Sequence, residues 1–347
     1  MDMPLFPYRI YAYNGLAERG YDLTVVSMSD KDVKYDIKLK FQHIRMSYKT
    51  FFGFRYVKGF NAINPNEFDI IIIAPNLRML NFYQFYNKKY WNKLIGWGHH
   101  KGCTSGNRFA AALRNRMFKK FAALVFYDHN TCDDYKKNGY NPEKLFVANN
   151  TQYVDLSKVN LSSPRDSFLY VGRIQERKSV DMALRAFATL KRTVPSDGLK
   201  FRIVGGGDSE TLKGLAQEMG IEKDVVFTGP IHDEDKLATV FNTAYAYVSP
   251  GHVGLGVLHS LAFGVPVITC LGRKHSVEIA NCKKENSFVV EYSDEAVFGA
   301  MKTLFSDKKL RANMSVAAHR YYENSCTIDV MVDGVDNAIQ YLMANER

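Results

Sequence analysis

Apolar residues in this chain occur in short runs, separated by amphipathic segments and by glycine or proline. Uninterrupted runs of about four to eight residues are typical of strands buried on both faces, as in a parallel sheet. Strands are predicted at residues 22–27, 41–47, 68–75, 93–99, 123–128, 144–149, 168–173, 200–208, 224–231, 245–249, 266–270 and 286–292. Helices are predicted at residues 11–19, 108–121, 180–191, 236–242, 257–263, 294–305, 308–323 and 328–343. This alternation of strand and helix predicts α/β structure with parallel sheets and right-handed crossovers.

The length of 347 residues is sufficient for two such domains, each with its own core. Residues 149–167 are polar and contain Pro164, as expected of an interdomain linker. We therefore predict a first domain at residues 1–155 and a second at 156–325, followed by a terminal helical segment at 326–347.

The net charge of +10 belongs entirely to residues 1–155, because residues 156–347 carry equal numbers of acidic and basic side chains. A basic surface can bind nucleic acid, anionic lipid or a phosphorylated substrate. No nucleic-acid-binding motif accompanies it, so lipid or a phosphorylated substrate is favoured over nucleic acid. A solvated basic surface without a partner remains an alternative.

Residues 48–60 and 82–93 combine aromatic side chains with lysine and arginine and contain no acidic residue. Aromatic rings favour the bilayer interface and cations favour anionic headgroups, which indicates peripheral contact with an anionic membrane. The alternative is that the rings pack between helices while the lysines are solvated. No apolar run approaches 18 residues, and the five scattered cysteines fit a reducing compartment. We expect a cytoplasmic protein, with the inner face of the cell membrane as its site of peripheral attachment.

Residues 249–268 contain a glycine loop between a predicted strand and a predicted helix, and then a second strand after Gly264. Gly251, Gly254 and Gly256 allow the backbone to approach a ligand closely at the start of the helix. Unpaired amides and the positive end of the helix dipole favour phosphate or sugar oxygens there.

A second cationic motif follows the predicted strand 168–173. This strand ends in Gly172 and Arg173, and Lys178 comes five residues later at the start of a helix. Two cations at one strand end, beside a helix N-terminus, can bind a diphosphate. A surface arginine that forms only salt bridges is the alternative.

These motifs together resemble the donor site of the family 4 glycosyltransferases, which have the GT-B fold. In that family one glutamate opens the glycine loop and a second lies eight positions later on the helix. Aligned through residues 264–267, the corresponding residues here are Gly251 and His259, so both carboxylates are absent. The resemblance implies two Rossmann-like domains facing each other across a cleft, with the terminal helix crossing back to the first domain.

The resemblance also implies roles for individual residues. Arg173 and Lys178 would neutralise the leaving nucleoside diphosphate, and His99 would contact the donor sugar. Further donor contacts are implied at Gly172, Gly205, Gly229, Pro230, Ile231, Gly251, His252, Gly254, Leu255, Gly256 and His259. The nucleobase would lie beside residues 229–231, and His259 would replace the usual carboxylate near the ribose or phosphate.

The implied activity is transfer of a glycosyl group from a nucleoside diphosphate sugar to a hydroxyl of a glycan or lipid-linked acceptor, with retention and without a metal ion or cofactor. Two alternatives remain open. One is a nucleotide-sugar epimerase on the same fold, which would need acid and base carboxylates near the sugar. The other is a non-catalytic binding or scaffold homologue, which the two lost carboxylates favour.

Two further expectations concern particular segments. Asp233, Glu234 and Asp235 precede a helix, so we interpret them as an N-cap and an acidic first turn rather than a metal site. GT-B proteins usually begin with a strand at the centre of the first sheet, whereas this sequence begins at the loop that follows. Either this chain starts late or this domain lacks its central strand, and we expect the strand to be missing here.

Overall fold

The computed structural model of the chain describes residues 5–28, 37–74, 76–98 and 108–345. Residue contacts divide it into two compact units. The first unit contains the described residues up to Tyr153 together with those from Ile328 onward, and the second is Val154–Thr327.

The first unit contains parallel strands and flanking helices. Its elements are α1 (Pro7–Glu18), β1 (Thr24–Met28), β2 (Gln42–Met46), β3 (Tyr48–Phe51), β4 (Phe54–Val57), β5 (Ile71–Ile73), β6 (Leu94–Trp97), α2 (Arg108–Phe118), β7 (Ala123–Phe126), α3 (His129–Lys137), β8 (Leu145–Val147) and α10 (Ile328–Asn345). Strands β5–β6–β7–β8 form a parallel sheet, β1 and β2 form a separate parallel pair, and β3 and β4 form an antiparallel hairpin. The predicted start of the first helix at residue 11 is wrong, because Pro7 occupies the first turn, where its fixed φ favours a helix.

Described residues of β1 and β5 line the same cavity, which has a volume of about 630 Å³. The remainder of its wall comes from α1 and the loop after it, from the segment around β5, from the ends of β6 and β7, and from α10. No described strand joins β1 to β5. The expectation that the first sheet lacks its central strand stays a prediction.

Three aromatic residues of segment 82–93 belong to the core of the first unit. Phe82, Phe85 and Tyr90 are buried in one cluster with Phe118 and Phe121. This segment forms two 3₁₀ helices, Leu80–Tyr86 and Lys88–Lys93. The membrane interpretation is therefore wrong for Phe82, Phe85 and Tyr90, which pack inside the unit as the alternative predicted, while Tyr83 and Lys89 are exposed.

The second unit is a six-stranded parallel sheet with helices on both faces. Its elements are β9 (Ser167–Val171), α4 (Val180–Thr193), β10 (Lys200–Val204), α5 (Ser209–Glu218), β11 (Val225–Gly229), α6 (Glu234–Asn242), β12 (Ala244–Val248), α7 (Gly256–Ala262), β13 (Val267–Cys270), β14 (Ser287–Val290), α8 (Asp294–Ser306) and α9 (Lys308–Ser325). The strand order is β11–β10–β9–β12–β13–β14, and every pairing is parallel. One apolar cluster lies on the face covered by α4, α5 and α8, and a second on the face covered by α6, α7 and α9.

Within the described part of the chain, no helix is both long enough and apolar enough to cross a bilayer.

Candidate functional site

The strand order of the second unit places a switch in topology between β9 and β12. From β9 the chain proceeds outward through β10 and β11, and it then returns to β12 and continues the other way through β13 and β14. Loops that leave β9 and β12 therefore diverge at their carboxyl ends. In open parallel sheets ligands bind in the crevice at this position. The two motifs singled out in the sequence, residues 172–178 and 249–259, are those two loops.

The loop after β10 packs directly against the loop after β9. The amide of Ile174 donates to the carbonyl of Gly206 over 2.8 Å, and Gly172 donates to Val204 over 2.9 Å. A Cβ at Gly205, where φ is +149°, would lie 1.8 Å from the carbonyl oxygen of Gly172. Glycine is required at 205 because two backbones meet there, and this contact brings Gly172 and Gly205 together.

The end of β11 lies at the same edge of the sheet as the loops after β9 and β10. The amide of Gly205 donates to the carbonyl of Gly229 over 3.0 Å. A Cβ on Gly206 would lie 3.6 Å from the ring of Pro230, and Ile231 packs on the apolar cluster beneath β9 and β12. The predicted nucleobase residues thus lie beside the loops after β9 and β10.

The glycine loop after β12 packs against the 3₁₀ turn Glu176–Lys178. Gly251 donates to the carbonyl of Lys178 over 3.0 Å, and His252 donates to that of Arg177 over 2.8 Å. A Cβ at Gly251 would lie 2.3 Å from the Arg177 carbonyl oxygen. A side chain at 251, including the family's glutamate, cannot be accommodated while the two loops keep this contact.

The three glycines of this loop differ in their surroundings. A Cβ at Gly256 would lie 2.5 Å from the hydroxyl of Tyr247. At Gly254 the nearest heavy atom is the Lys178 Nζ, 3.8 Å away. A ligand could therefore approach Gly254. At Gly251 and Gly256 the space that a side chain would need is occupied by other atoms of the protein. Leu255 occupies the N-cap position of α7, and its side chain makes no capping hydrogen bond.

Lys178 lies at the centre of the site. Its ammonium donates to the carbonyl of His252 over 2.6 Å, which is the one hydrogen bond of its side chain to the described residues. Two of its three donors are therefore available to a ligand. Burial and the nearby Arg177 guanidinium lower the pKa of Lys178 to about 8, while the Glu278 carboxylate opposes that change. An anion beside Lys178 would restore the charge that burial disfavours.

Arg173 extends from the same strand end as an exposed side chain, and its guanidinium has no ion-pair partner among the described residues. Its carbonyl accepts a hydrogen bond of 2.7 Å from the hydroxyl of Tyr170, which fixes the backbone at the start of the loop. Arg177, a cation that sequence reasoning missed, donates to Gln175 over 2.9 Å. Three cations thus surround the strand end, and the arrangement favours a multiply charged anion.

The two predicted histidines of this region favour the neutral form. Burial, together with Lys178 and Arg177, lowers the pKa of His252. His259 stacks on Phe241 of α6 with ring centroids 5.5 Å apart, and burial lowers its pKa to about 4. A neutral imidazole can hydrogen-bond to a hydroxyl but supplies no charge to a phosphate. The predicted role of His259 near the ribose or phosphate stays a prediction, and this environment favours the ribose.

Two residues that the motif search did not single out support the loop. His275 accepts from the amide of Val253 over 3.3 Å at Nδ1, and its Nε2 lies 2.7 Å from the carbonyl of Cys270. Because Nδ1 accepts, Nε2 carries the proton. Glu278 is 2% exposed and acts electrostatically on Lys178. Neither residue belongs to a local motif, so the sequence contained no signal that identified them.

The remaining predictions concern residues outside these loops of the sequence. His99 falls outside the described residues, so its contact with the donor sugar stays a prediction. Asp233 accepts from the Lys236 amide over 2.9 Å and caps α6, as predicted, and Asp235 pairs with Lys158 over 2.9 Å. Within the described ranges, no group of three or more His, Cys, Asp or Glu side chains could hold a metal ion.

The part of the chain that carries this site matches a known family model. Residues 155–321 match the family model of glycosyl transferases group 1. A GDP-mannose-dependent alpha-(1-6)-phosphatidylinositol monomannoside mannosyltransferase of Mycolicibacterium smegmatis is 33% identical over 162 residues, which are 44% of this chain and 41% of that protein. The chain thus spans less than half the length of this curated relative.

Two solved structures resemble nearly the whole chain. A glycosyltransferase from Rickettsia africae has a TM-score of 0.73 at 16% identity, and covers 98% of this chain and 97% of its own. Anabaena HepE in complex with UDP has a TM-score of 0.67 at 12% identity, with 98% of both chains covered. At these identities the likeness shows the fold alone, and it confirms the predicted GT-B class with two Rossmann-like domains. The second unit, over residues 155–321, therefore matches the group 1 glycosyl transferases, the family whose donor site the sequence motifs resemble.

Proposed function

We propose that this protein transfers a glycosyl group from a nucleoside diphosphate sugar to a hydroxyl of a glycan or lipid-linked acceptor. The observation that carries the proposal is the position of Arg173 and Lys178 at the topological switch of the second sheet. A guanidinium without an ion-pair partner in the described part of the chain and a half-buried ammonium with two available donors suit a diphosphate.

These cations have a defined task in the reaction. When the bond between the anomeric carbon and the diphosphate oxygen breaks, negative charge grows on the leaving phosphate. Lys178 is held by its hydrogen bond to the His252 carbonyl, and Arg173 extends from a backbone held by Tyr170, so both cations lie close to where that charge develops. We propose that they do this without a metal ion, and that the anomeric configuration is retained as in the family.

The names of similar proteins support the donor and the acceptor class. HepE was solved with UDP, and the mycobacterial relative is named as a GDP-mannose-dependent enzyme acting on a phosphatidylinositol mannoside. For this chain we propose a nucleoside diphosphate sugar as donor and an acceptor carried at a membrane surface.

The first test is the affinity for UDP and GDP, measured by calorimetry. Arg173→Ala removes one charge-assisted contact, worth about 1.5–3 kcal/mol, so we expect at least about tenfold weaker binding. Arg192→Ala, on the exposed end of α4, is the matched control and should leave the affinity unchanged. Equal affinities of wild type and Arg173→Ala, in folded proteins, would disprove the assignment of Arg173.

The second test separates the enzyme from a binding homologue. The close contact at Gly251 favours the non-catalytic alternative, because it leaves no room for the family's glutamate. Incubation with labelled UDP- and GDP-sugars and a mixed lipid acceptor fraction should release nucleoside diphosphate and label the acceptor if the proposal is correct. Tight nucleotide binding with neither transfer nor hydrolysis would identify the scaffold alternative instead.

A further inference from the structure

The hairpin formed by β3 and β4 exposes an aromatic face. In its register Lys49 lies opposite Tyr56, and Phe51 opposite Phe54, so these four side chains share one face. All four are exposed, and Phe51 is 72% exposed. The aromatic side chains therefore lie on the exposed face of the hairpin, whereas in most water-soluble proteins the aromatic face packs on the core.

The turn of this hairpin adds a second anomaly. Phe52 and Gly53 have φ angles of +45° and +78°, as in a type I′ turn. Glycine, asparagine and aspartate are favoured at the first of these positions, and a bulky residue there is strained. The Phe52 side chain is nevertheless 88% exposed and its ring meets that of Phe51 edge to face, with centroids 4.5 Å apart. Neither the turn geometry nor packing against the described residues explains phenylalanine at this position.

The opposite face of the hairpin is held in place by burial and by hydrogen bonds. Val57 is fully buried, and the Asn81 side chain both accepts from its amide over 2.6 Å and donates to its carbonyl over 3.2 Å. The amide of Arg55 donates to the carbonyl of Arg78 over 2.7 Å. The base is thus held in the core of the first unit while the tip extends into solvent.

The charge around the tip has one sign. Lys49, Arg55 and Lys58 lie on the hairpin, and the sequence contains no acidic residue between Asp36 and Glu67. Cations that flank an exposed aromatic tip complement an anionic lipid surface, since the rings favour the interface and the cations the headgroups. A two-residue convex tip is too small for a stable protein interface, which buries about 800 Å² on each partner.

We propose that the β3–β4 hairpin is a membrane anchor, which inserts Phe51 and Phe52 into the interface of an anionic bilayer with Lys49 and Lys58 against the headgroups. This anchor is independent of the donor site, because its residues lie in the first unit and its binding requires no nucleotide.

The test is sedimentation of the full chain with vesicles of phosphatidylcholine alone and of phosphatidylcholine with phosphatidylglycerol. The wild type should bind the anionic vesicles more tightly, and added salt should weaken that binding through screening. Phe52→Asn suits the turn better than phenylalanine, so it should fold at least as well and yet bind about tenfold more weakly, as expected for the loss of one buried ring. Phe52→Trp keeps an aromatic ring, so it should bind as the wild type does and be quenched by brominated lipids.

Val316→Asn, which removes an equally apolar exposed side chain from α9, is the control and should bind as the wild type does. Three outcomes would overturn the proposal: no sedimentation of the wild type with either vesicle, equal binding of Phe52→Asn and wild type, or binding insensitive to both lipid charge and salt.

Discussion

At the scale of single residues, the charge on Lys178 depends on what is bound beside it. Burial and Arg177 lower its pKa to about 8 in the free protein. A bound diphosphate would raise that pKa, so binding at pH values above 8 must take up a proton. The affinity should consequently fall as the pH rises through 8 and the free protein loses its charge.

We expect nucleoside diphosphate affinity to drop about tenfold between pH 7 and pH 9, from the proton linkage of one group with a pKa near 8. Calorimetry in two buffers of different ionisation enthalpy measures both the affinity and the proton uptake. Lys178→Met should bind weakly with no pH dependence over this range. Proton release on binding at pH 9, or a flat profile in the wild type, would contradict the assignment.

Residue identity alone predicted part of this site. Arg173, Lys178 and the glycines could be found in the sequence because strand ends and glycine turns are local signals. The support from His275 and Glu278 could not, because both reach the loop through folding of the segment after β13. The sequence also gave no reason to expect a lysine with a depressed pKa, since that depends on burial.

At the scale of elements, the contact between the loops after β9 and β12 fixes the position of Lys178. Gly251→Ala would place a methyl group against the Arg177 carbonyl, so the two loops must separate. We expect a loss of about 1–3 kcal/mol in the free energy of unfolding of the second unit, together with weaker nucleotide binding. Chemical denaturation and calorimetry measure the two effects.

Gly214→Ala is the matched variant, because a Cβ at this position in α5 meets nothing within 4 Å. This change should stabilise the unit by about 0.5–1 kcal/mol through helix propensity and leave nucleotide affinity unchanged. If both variants behaved alike, the contact at Gly251 would not be important for the loop.

Prediction of elements from the sequence succeeded where periodicity was strong. The six strands of the second unit and most of its helices lie close to the predicted positions, and α4 begins at Val180 as predicted. The hairpin of β3 and β4 was missed, although Phe52-Gly53 lies between two alternating segments, because phenylalanine is not a usual turn residue. For segment 82–93 the alternative of packed rings is confirmed for Phe82, Phe85 and Tyr90. Its two helices were not predicted, because 3₁₀ helices have neither the period of an α-helix nor that of a strand.

At the scale of the whole molecule, the two units differ in how their strands are joined. The second unit has one continuous sheet of six strands, whereas β1 and β5 of the first line a cavity of about 630 Å³ and belong to separate sheets. Cavities reduce stability because their lining loses packing contacts. We expect backbone amides of β1 and β5 to exchange hydrogen faster than those of β9 and β12, as measured by mass spectrometry at neutral pH. Equal protection of the four strands would show that the cavity costs the first unit little.

Helix α10 completes the first unit although it follows the second in the chain. A Cβ at Gly334 would lie 2.0 Å from the carbonyl oxygen of Val147, and a Cβ at Gly15 of α1 would lie 2.8 Å from Cγ2 of Val332. Arg19 pairs with Asp336 over 2.7 Å along the same contact. During synthesis on the ribosome, the second unit can fold as soon as residue 327 has emerged, but the first must wait for α10. The first unit therefore completes its folding last, which reverses the usual order, in which the N-terminal part folds first. It is also the unit that carries the exposed aromatic hairpin.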